Sequence, residues 1–148
     1  MARAEHEVLV ARDAMTVWSF LLDGANLPRW QADVRSVGLS SGSAGSVGAR
    51  YQVTVDGPHG RPVARDYEIT HARPGAEIQF QVVAGPSLLR GGFYLSSESA
   101  GTRVRFALEA PTLGFWSFLR PAYRRQLRAA VGQLAKLPAV IEQRTTAD

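Results

Sequence analysis

The chain has 148 residues, 45% of them hydrophobic, so it can bury a core and fits a single domain spanning residues 1–148. It has no cysteine, no apolar run near the roughly 20 residues of a membrane span and no apolar N-terminal signal region. These features exclude a disulfide framework and predict a cytoplasmic protein without stable membrane insertion. The net charge is +4, and most basic residues are scattered, so no nucleic-acid partner is expected.

The first 30 residues predict one strand and two short helices. Residues 6–11 have Val8 and Val10 on one face, as a strand does. Asp13 is the predicted N-cap of a helix over Ala14–Leu22, because its carboxylate can accept hydrogen bonds from the amides of the first turn. Gly24 is predicted to end that helix, and a second short helix or turn follows around residues 27–30.

The middle of the chain predicts six further strands. Tyr51, Val53 and Val55 alternate with polar residues, which places them on one face of a strand. Glycine- and proline-containing turns recur at short intervals, as in an antiparallel meander, and residues 40–46 form a Gly/Ser loop. The predicted strands are residues 34–39, 50–56, 63–71, 77–83, 90–97 and 101–109.

The last third predicts one long amphipathic helix over about residues 116–143, roughly 40 Å in length. Its apolar residues recur every three or four positions. They are Leu119, Tyr123, Leu127, Ala130, Leu134, Leu137 and Ile141. Pro138 is expected to kink or end the helix, and a disordered tail is expected at about residues 144–148. Because strands and helices are segregated along the chain, the predicted class is α+β.

Four segments, at residues 13–23, 26–30, 47–51 and 101–104, resemble the START-like (SRPBCC) superfamily, in particular its polyketide cyclase/dehydrase and lipid-transport group. The resemblance implies a helix-grip fold. In that fold a curved antiparallel sheet of about seven strands wraps around the long C-terminal helix, with two short helices after strand 1. It also implies a cavity between helix and sheet, bordered by the Gly/Ser loop. No catalytic motif is common to the superfamily, so no catalytic residue is implied.

Aromatic side chains dominate the predicted inward positions, where they either fill the core or line a cavity. The predicted cavity-lining residues are Trp30, Tyr51, Tyr67, Phe80, Phe93, Phe106, Tyr123 and Leu127. His71, in phase with Tyr67, is either a candidate polar contact or a surface residue at the end of its strand. Arg90 is another candidate contact, although its phase opposes that of Phe93 and argues for exposure. His6, His59 and His71 lack metal-ligand spacing, so neither a metal nor a cofactor is expected.

These observations favour binding or carriage of a small hydrophobic or aromatic molecule, such as a lipid, quinone or polyketide-like compound, by a monomer or homodimer. The alternative is an enzyme of the polyketide cyclase, aromatase or dehydratase type that uses the same cleft. A third hypothesis is a protein- or membrane-surface module whose contacts are Arg120, Arg124, Arg125 and Arg128. Those four arginines also fit the ordinary solvated face of an amphipathic helix.

Overall fold

Eight antiparallel strands of the described residues form one sheet. The computed structural model describes residues 2–85, 88–110 and 120–147, with side chains over 3–57, 59–85, 88–110 and 124–142. The strands are β1 (Ala2–Val10), β2 (Val34–Ser41), β3 (Arg50–Asp56), β4 (Pro62–Ala64), β5 (Tyr67–Arg73), β6 (Glu77–Val82), β7 (Arg90–Glu98) and β8 (Gly101–Ala110). Their order in the sheet is β1-β8-β7-β6-β5-β3-β2, with β4 paired to β3.

Two short helices, α1 (Ala14–Leu22) and α2 (Leu27–Trp30), follow β1, as predicted. The Asp13 carboxylate accepts hydrogen bonds from the Thr16 hydroxyl at 2.6 Å and the Thr16 amide at 3.1 Å, which confirms the N-cap. These hydrogen bonds lower the pKa of Asp13. Helix α1 ends at Leu22, and Asp23 rather than Gly24 ends it, because Asp23 is extended (φ −83°, ψ 108°) and caps a separate 3-10 turn at Gly24–Asn26. A Cβ on Gly24 would lie 2.5 Å from the Tyr67 hydroxyl, so close packing requires glycine here.

The C-terminal helical segment packs against β1 and β8, and the predicted α+β class is confirmed. It consists of α3 (Arg120–Gly132) and α4 (Leu137–Ala147), separated by a 3-10 turn at Gln133–Lys136. The break therefore precedes Pro138, which lies in the first turn of α4, where its missing N–H costs no helical hydrogen bond. Residues 116–119 of the predicted helix lie outside the described residues.

Helix α4 is attached to the end of β1. It extends to Ala147, and after Pro138 it contains neither glycine nor proline that would end it earlier. Hydrogen bonds attach α4 to the end of β1: the Ala11 amide donates to Glu142 Oε1 at 3.0 Å, and Arg12 Nη2 donates to the Glu142 carbonyl at 3.0 Å.

Two irregularities in the sheet change what its side chains face. The predicted strand 63–71 is two strands, because the Val53 amide donates to the Asp66 carboxylate at 3.0 Å and the ladder is interrupted. A bulge between Ile69 and His71 then shifts the register, so that Ile69 pairs with Phe80 and His71 with Gln79. The extra residue reverses the side on which His71 lies. His71 is consequently exposed on the face of the sheet away from the helices, which agrees with the surface position that the sequence left open and not with a contact in an inner cavity.

The core lies between the inner face of the sheet and the helices. Trp30 of α2 is only 2% exposed and packs edge-on against Phe93 and Phe106, with ring centroids 5.9 Å away in each case. Phe93 and Phe106 stack on each other at 4.5 Å. Leu127, Val131, Leu134, Leu137 and Ile141 of the C-terminal segment are also buried.

Gly91 in β7 is expected to tolerate no side chain. A Cβ there would lie 2.5 Å from the Ala107 carbonyl oxygen and 2.8 Å from Leu108 Cδ2, and the Ala107 backbone cannot move without disturbing β8. Gly91→Ala is expected to lower the free energy of unfolding by about 1–3 kcal/mol, as overpacked sites do. Urea denaturation measures the change.

Gly38→Ala in β2 is the matched control, since a Cβ at Gly38 meets nothing within 4 Å. It is expected to leave stability unchanged or to raise it by up to about 1 kcal/mol through the unfolded state. Equal losses in the two variants would contradict the packing argument.

Candidate ligand-binding cavity

A predominantly apolar cavity of about 80 Å³ lies between the inner face of the sheet and helices α1, α2 and α3. Its volume is below the 300–1,000 Å³ usual for drug-sized ligands, so it accommodates about one ring as it stands, and a two-ring ligand such as a naphthalene derivative requires neighbouring side chains to move. The described residues that line it are Leu21, Leu22, Leu27, Gln31, Val53, Arg65, Tyr67, Ile69, Ile78, Phe80, Val82, Leu89, Phe93, Phe106, Leu108 and Ala130.

The residues predicted from sequence to line a cavity are distributed over several environments. Four of them, Tyr67, Phe80, Phe93 and Phe106, are among the lining residues. Trp30, Tyr51 and Leu127 are buried in the core and are not among the described lining residues. The side chain of Tyr123 lies outside the described residues.

The two candidate polar contacts, His71 and Arg90, lie on the outer face of the sheet. His71 is there because of the bulge in β5. Arg90 is exposed and forms an ion pair with Glu109 across the β7–β8 pair, Nε to Oε2, at 3.3 Å. Both border a polar groove of about 520 Å³ on that face, separate from the inner cavity.

Tyr51 uses its hydroxyl to hold the Gly/Ser loop. Its oxygen accepts a hydrogen bond from the Gly45 amide at 3.0 Å, and its ring stacks on Tyr67 at 5.3 Å. Gly42, Gly45 and Gly48 all have positive φ, which the tight path of this loop requires. Tyr51 therefore positions the loop and its neighbour Tyr67 while its own hydroxyl is occupied.

Tyr67 presents a hydroxyl that has no hydrogen bond to any described residue. Burial is the main cause that raises the pKa of this hydroxyl, with further contributions from Tyr51 and Asp23, while Arg65 acts in the opposite direction. The hydroxyl is therefore protonated throughout the physiological range. It can donate a hydrogen bond to a ligand in the cavity, and it cannot act as a base there.

Arg65 is the cavity-lining cation that the sequence analysis missed. Its Nη2 donates to Gln31 Oε1 at 2.7 Å, and its Nη1 lies 3.1 Å from Asp33 Oδ2. The Arg65 side chain is 27% exposed, so this end of the cavity reaches solvent. Alternation alone could have found it, because residue 65 is in phase with Val63 and Tyr67.

The polar end of the cavity is connected to the break in the C-terminal helical segment. Gln133 Nε2 donates to Asp33 Oδ1 at 3.3 Å, and Gln133 Oε1 accepts from the Ala32 amide at 2.8 Å. Asp33 thus lies between Arg65 and Gln133. The network fixes the guanidinium while leaving it at the cavity wall, where it can pair with one polar or acidic group of a ligand.

Over the described parts of the chain, no three His, Asp or Glu side chains lie close enough together to hold a metal ion. No helix in the same residues is long and apolar enough to cross a membrane.

Comparison with known proteins assigns the chain to a family. The model of the family described as polyketide cyclase / dehydrase and lipid transport matches residues 1–137. The chain therefore belongs to this family, and the START-like resemblance seen in the sequence is confirmed. No curated protein sequence matches the chain.

Solved structures share the helix-grip fold over nearly the whole chain. TTHA0849 from Thermus thermophilus is 21% identical, with a TM-score of 0.73, over 99% of this chain and 97% of that one. The di-domain ARO/CYC StfQ from the steffimycin biosynthetic pathway is 16% identical, with a TM-score of 0.78, over 98% of this chain and 52% of that one. Ginseng major latex-like protein 151 from Panax ginseng is 14% identical, with a TM-score of 0.72, over 97% of this chain and 96% of that one.

Proposed function

We propose that this protein binds a small hydrophobic or aromatic molecule in the inner cavity and that Arg65, Tyr67 and Gln31 orient one polar or acidic group of it. The observation that carries this proposal is a mainly apolar cavity with three polar side chains at its wall. Burial of apolar surface supplies the affinity, at about 25 cal/mol per Å². The polar groups supply the orientation.

The chemistry of the lining residues favours binding or carriage over catalysis. None of the described lining residues is a histidine, an aspartate or a glutamate, so no general base of the usual kind faces the cavity. The buried end of the site is formed by phenylalanine and aliphatic side chains. A ligand there is held by shape and apolar contact, and it can leave unchanged.

An enzyme of the cyclase or dehydratase type is the second candidate, favoured by Tyr67 and Arg65. A protonated tyrosine hydroxyl and a guanidinium on the same cavity wall can stabilise an enolate oxygen, the hydroxyl by donating a hydrogen bond, while the apolar wall holds a reactive chain folded. The family description and the likeness to an ARO/CYC are compatible with this reading. Incubating the protein with a compound extracted from it, and following that compound's mass, separates the candidates, since loss of water favours the enzyme.

The first experiment is native mass spectrometry of freshly purified protein, followed by organic extraction. A stoichiometric apolar or aromatic companion is the expected result, and its structure names the ligand class. A protein that carries nothing and takes up no aromatic probe would exclude both candidates.

Arg65→Gln is expected to weaken binding of an aromatic acid and to spare its neutral analogue. Titration with 2-naphthoate and 2-naphthamide, which share one ring system, is followed by NMR shift perturbation. A charge-assisted hydrogen bond contributes about 1.5–3 kcal/mol, so 2-naphthoate is expected to bind about tenfold more weakly or worse. The affinity for 2-naphthamide is expected to change by less than about threefold.

Arg35→Gln is the control for this substitution. Arg35 forms an ion pair with Asp56 on the surface, so its loss changes the net charge equally without touching the cavity. Circular dichroism and thermal unfolding verify the fold of both variants. Equal weakening of the two ligands by Arg65→Gln would contradict the assigned role of the guanidinium.

A further inference from the structure

The net positive charge of this protein arises from its C-terminal part. Residues 1–109 contain eleven basic and eleven acidic residues, whereas residues 110–148 contain six basic and two acidic residues. The net charge of +4 thus belongs to the last 39 positions. A charge that was only a bias of composition would be spread over both parts.

The arginines of the two parts also differ in ion pairing. Eight arginines between residues 3 and 105 have an acidic partner within 4.0 Å. Arg124, Arg125 and Arg128 of α3 are exposed and have no ion pair with any described residue. The sequence of α3, RPAYRRQLRAAVG, contains no acidic residue at all.

The three arginines lie close together on the helix that covers the cavity. They occupy five consecutive positions, which span about 6 Å along a helix axis. The opposite side of the same turns is apolar: Leu127 is buried, and Ala130 lines the cavity. An anionic surface in contact with these arginines would therefore lie directly outside the cavity wall.

We propose that Arg124, Arg125 and Arg128, here called the α3 basic face, are a docking surface for the anionic phospholipid headgroups of a membrane. Each arginine near such a surface strengthens association about fivefold, so three give about a hundredfold. Contact is peripheral, by charge, and needs no inserted segment. This contact places the cavity close to the hydrocarbon interior of the membrane, in which apolar molecules dissolve.

A membrane fits this face better than a nucleic acid does. Non-specific binding to a duplex typically uses six to ten phosphate contacts, whereas this face offers three within one turn and a half. Among the side chains of α3 that the structure describes, residues 124–132, the other exposed ones are Gln126 and Ala129, and neither can stack on a base. The choice also rests on the proposed apolar ligand, which a membrane can supply or receive.

The test is co-sedimentation of the full chain with two kinds of vesicle at 0.1 M NaCl. One kind is phosphatidylcholine alone, and in the other about 30 mol% of the lipid is phosphatidylglycerol. The anionic lipid gives the second kind a strongly negative surface potential. Binding is expected to the anionic vesicles only. It is expected to disappear at 0.5 M NaCl, because the screening length falls well below its value of about 10 Å at 0.1 M.

The substitutions Arg124→Gln, Arg125→Gln and Arg128→Gln, combined, are expected to weaken vesicle binding about a hundredfold. The matched control combines Arg3→Gln, Arg50→Gln and Arg73→Gln, which removes the same charge from ion-paired, exposed strand positions. The control is expected to bind vesicles within about threefold of the unchanged protein. Circular dichroism verifies that both variants fold.

Three outcomes would overturn the proposal: no vesicle binding, equal binding to both kinds of vesicle, or tighter binding to a 20-bp DNA duplex than to anionic vesicles. Uptake of 2-naphthoate is measured separately on the same samples. The proposed function fails if the ligand does not bind, whereas the docking surface fails if the vesicles do not, so the two failures are distinguishable.

Discussion

Ala130→Phe is expected to abolish binding of 2-naphthoate in the cavity, or to weaken it at least tenfold. Ala130 lines the cavity from α3, and a benzyl side chain directed into a space of about 80 Å³ leaves no room for a ligand ring. The cavity itself accommodates the added ring, so the loss of stability is expected to be smaller than the 1–3 kcal/mol typical of overpacked cores. NMR titration with 2-naphthoate measures the affinity.

Ala129→Phe provides a closely matched control. The same side chain enters the same helix one residue earlier, where Ala129 is exposed and does not line the cavity. Because the difference in helix propensity between alanine and phenylalanine applies at both positions, it cancels in the comparison. Ala129→Phe is expected to bind 2-naphthoate as the unchanged protein does, and equal affinity in the two variants would falsify the assignment of the cavity as the binding site.

Trp30→Ala is expected to be the most destabilising single substitution that we consider. Trp30 is 2% exposed and packs against both Phe93 and Phe106, so its removal leaves a large cavity between α2 and the sheet. Truncation of a buried tryptophan costs about 3–5 kcal/mol, a large part of the 5–15 kcal/mol that usually stabilises a domain. The free energy of unfolding is measured by urea denaturation monitored by circular dichroism.

Trp18→Ala is the comparison for this substitution. Trp18 of α1 is only partly buried, and its Nε1 donates to the Glu77 carbonyl at 3.0 Å. Trp18→Ala is expected to lower the free energy of unfolding by less than Trp30→Ala does, because water can fill part of the space that Trp18 occupies and can hydrogen-bond to the Glu77 carbonyl. Trp30→Phe is expected to recover part of the loss by refilling the space. A cost below about 1 kcal/mol for Trp30→Ala would show that Trp30 is not central to the core.

Local structure could be predicted from the sequence where the interacting residues lie within one short segment. The Asp13 cap and the helix Ala14–Leu22 that follows it are confirmed because the carboxylate and the amides it caps are within three residues. The alternation of β3, with Tyr51, Val53 and Val55 inward, is confirmed because a regular strand repeats every two residues. The α+β class followed from the order of these elements.

The pairing register of the strands could not be predicted from the sequence, because it depends on partner strands that are distant along the chain. Strict alternation left both an inward and a surface position open for His71, and the bulge in β5 opposite β6 places it on the outer face. The interruption at Arg65 and Asp66 depends on the Val53 amide, which lies on β3. The polar side chain that lines the cavity is therefore Arg65, which its phase with Val63 and Tyr67 could have indicated. The two candidates chosen from the sequence, His71 and Arg90, lie on the outer face of the sheet.

The sequence by itself determined the family, the class of fold and which residues are apolar enough to be buried, since these depend on composition, periodicity and short motifs. Only the tertiary structure decided which buried aromatics fill the core and which leave space beside them. Trp30 and Tyr51 have the same inward phase as Tyr67 and Phe80, yet only the latter two line the cavity. The physical reason is that a cavity is the volume left over when whole elements pack, and no single element of the sequence encodes it.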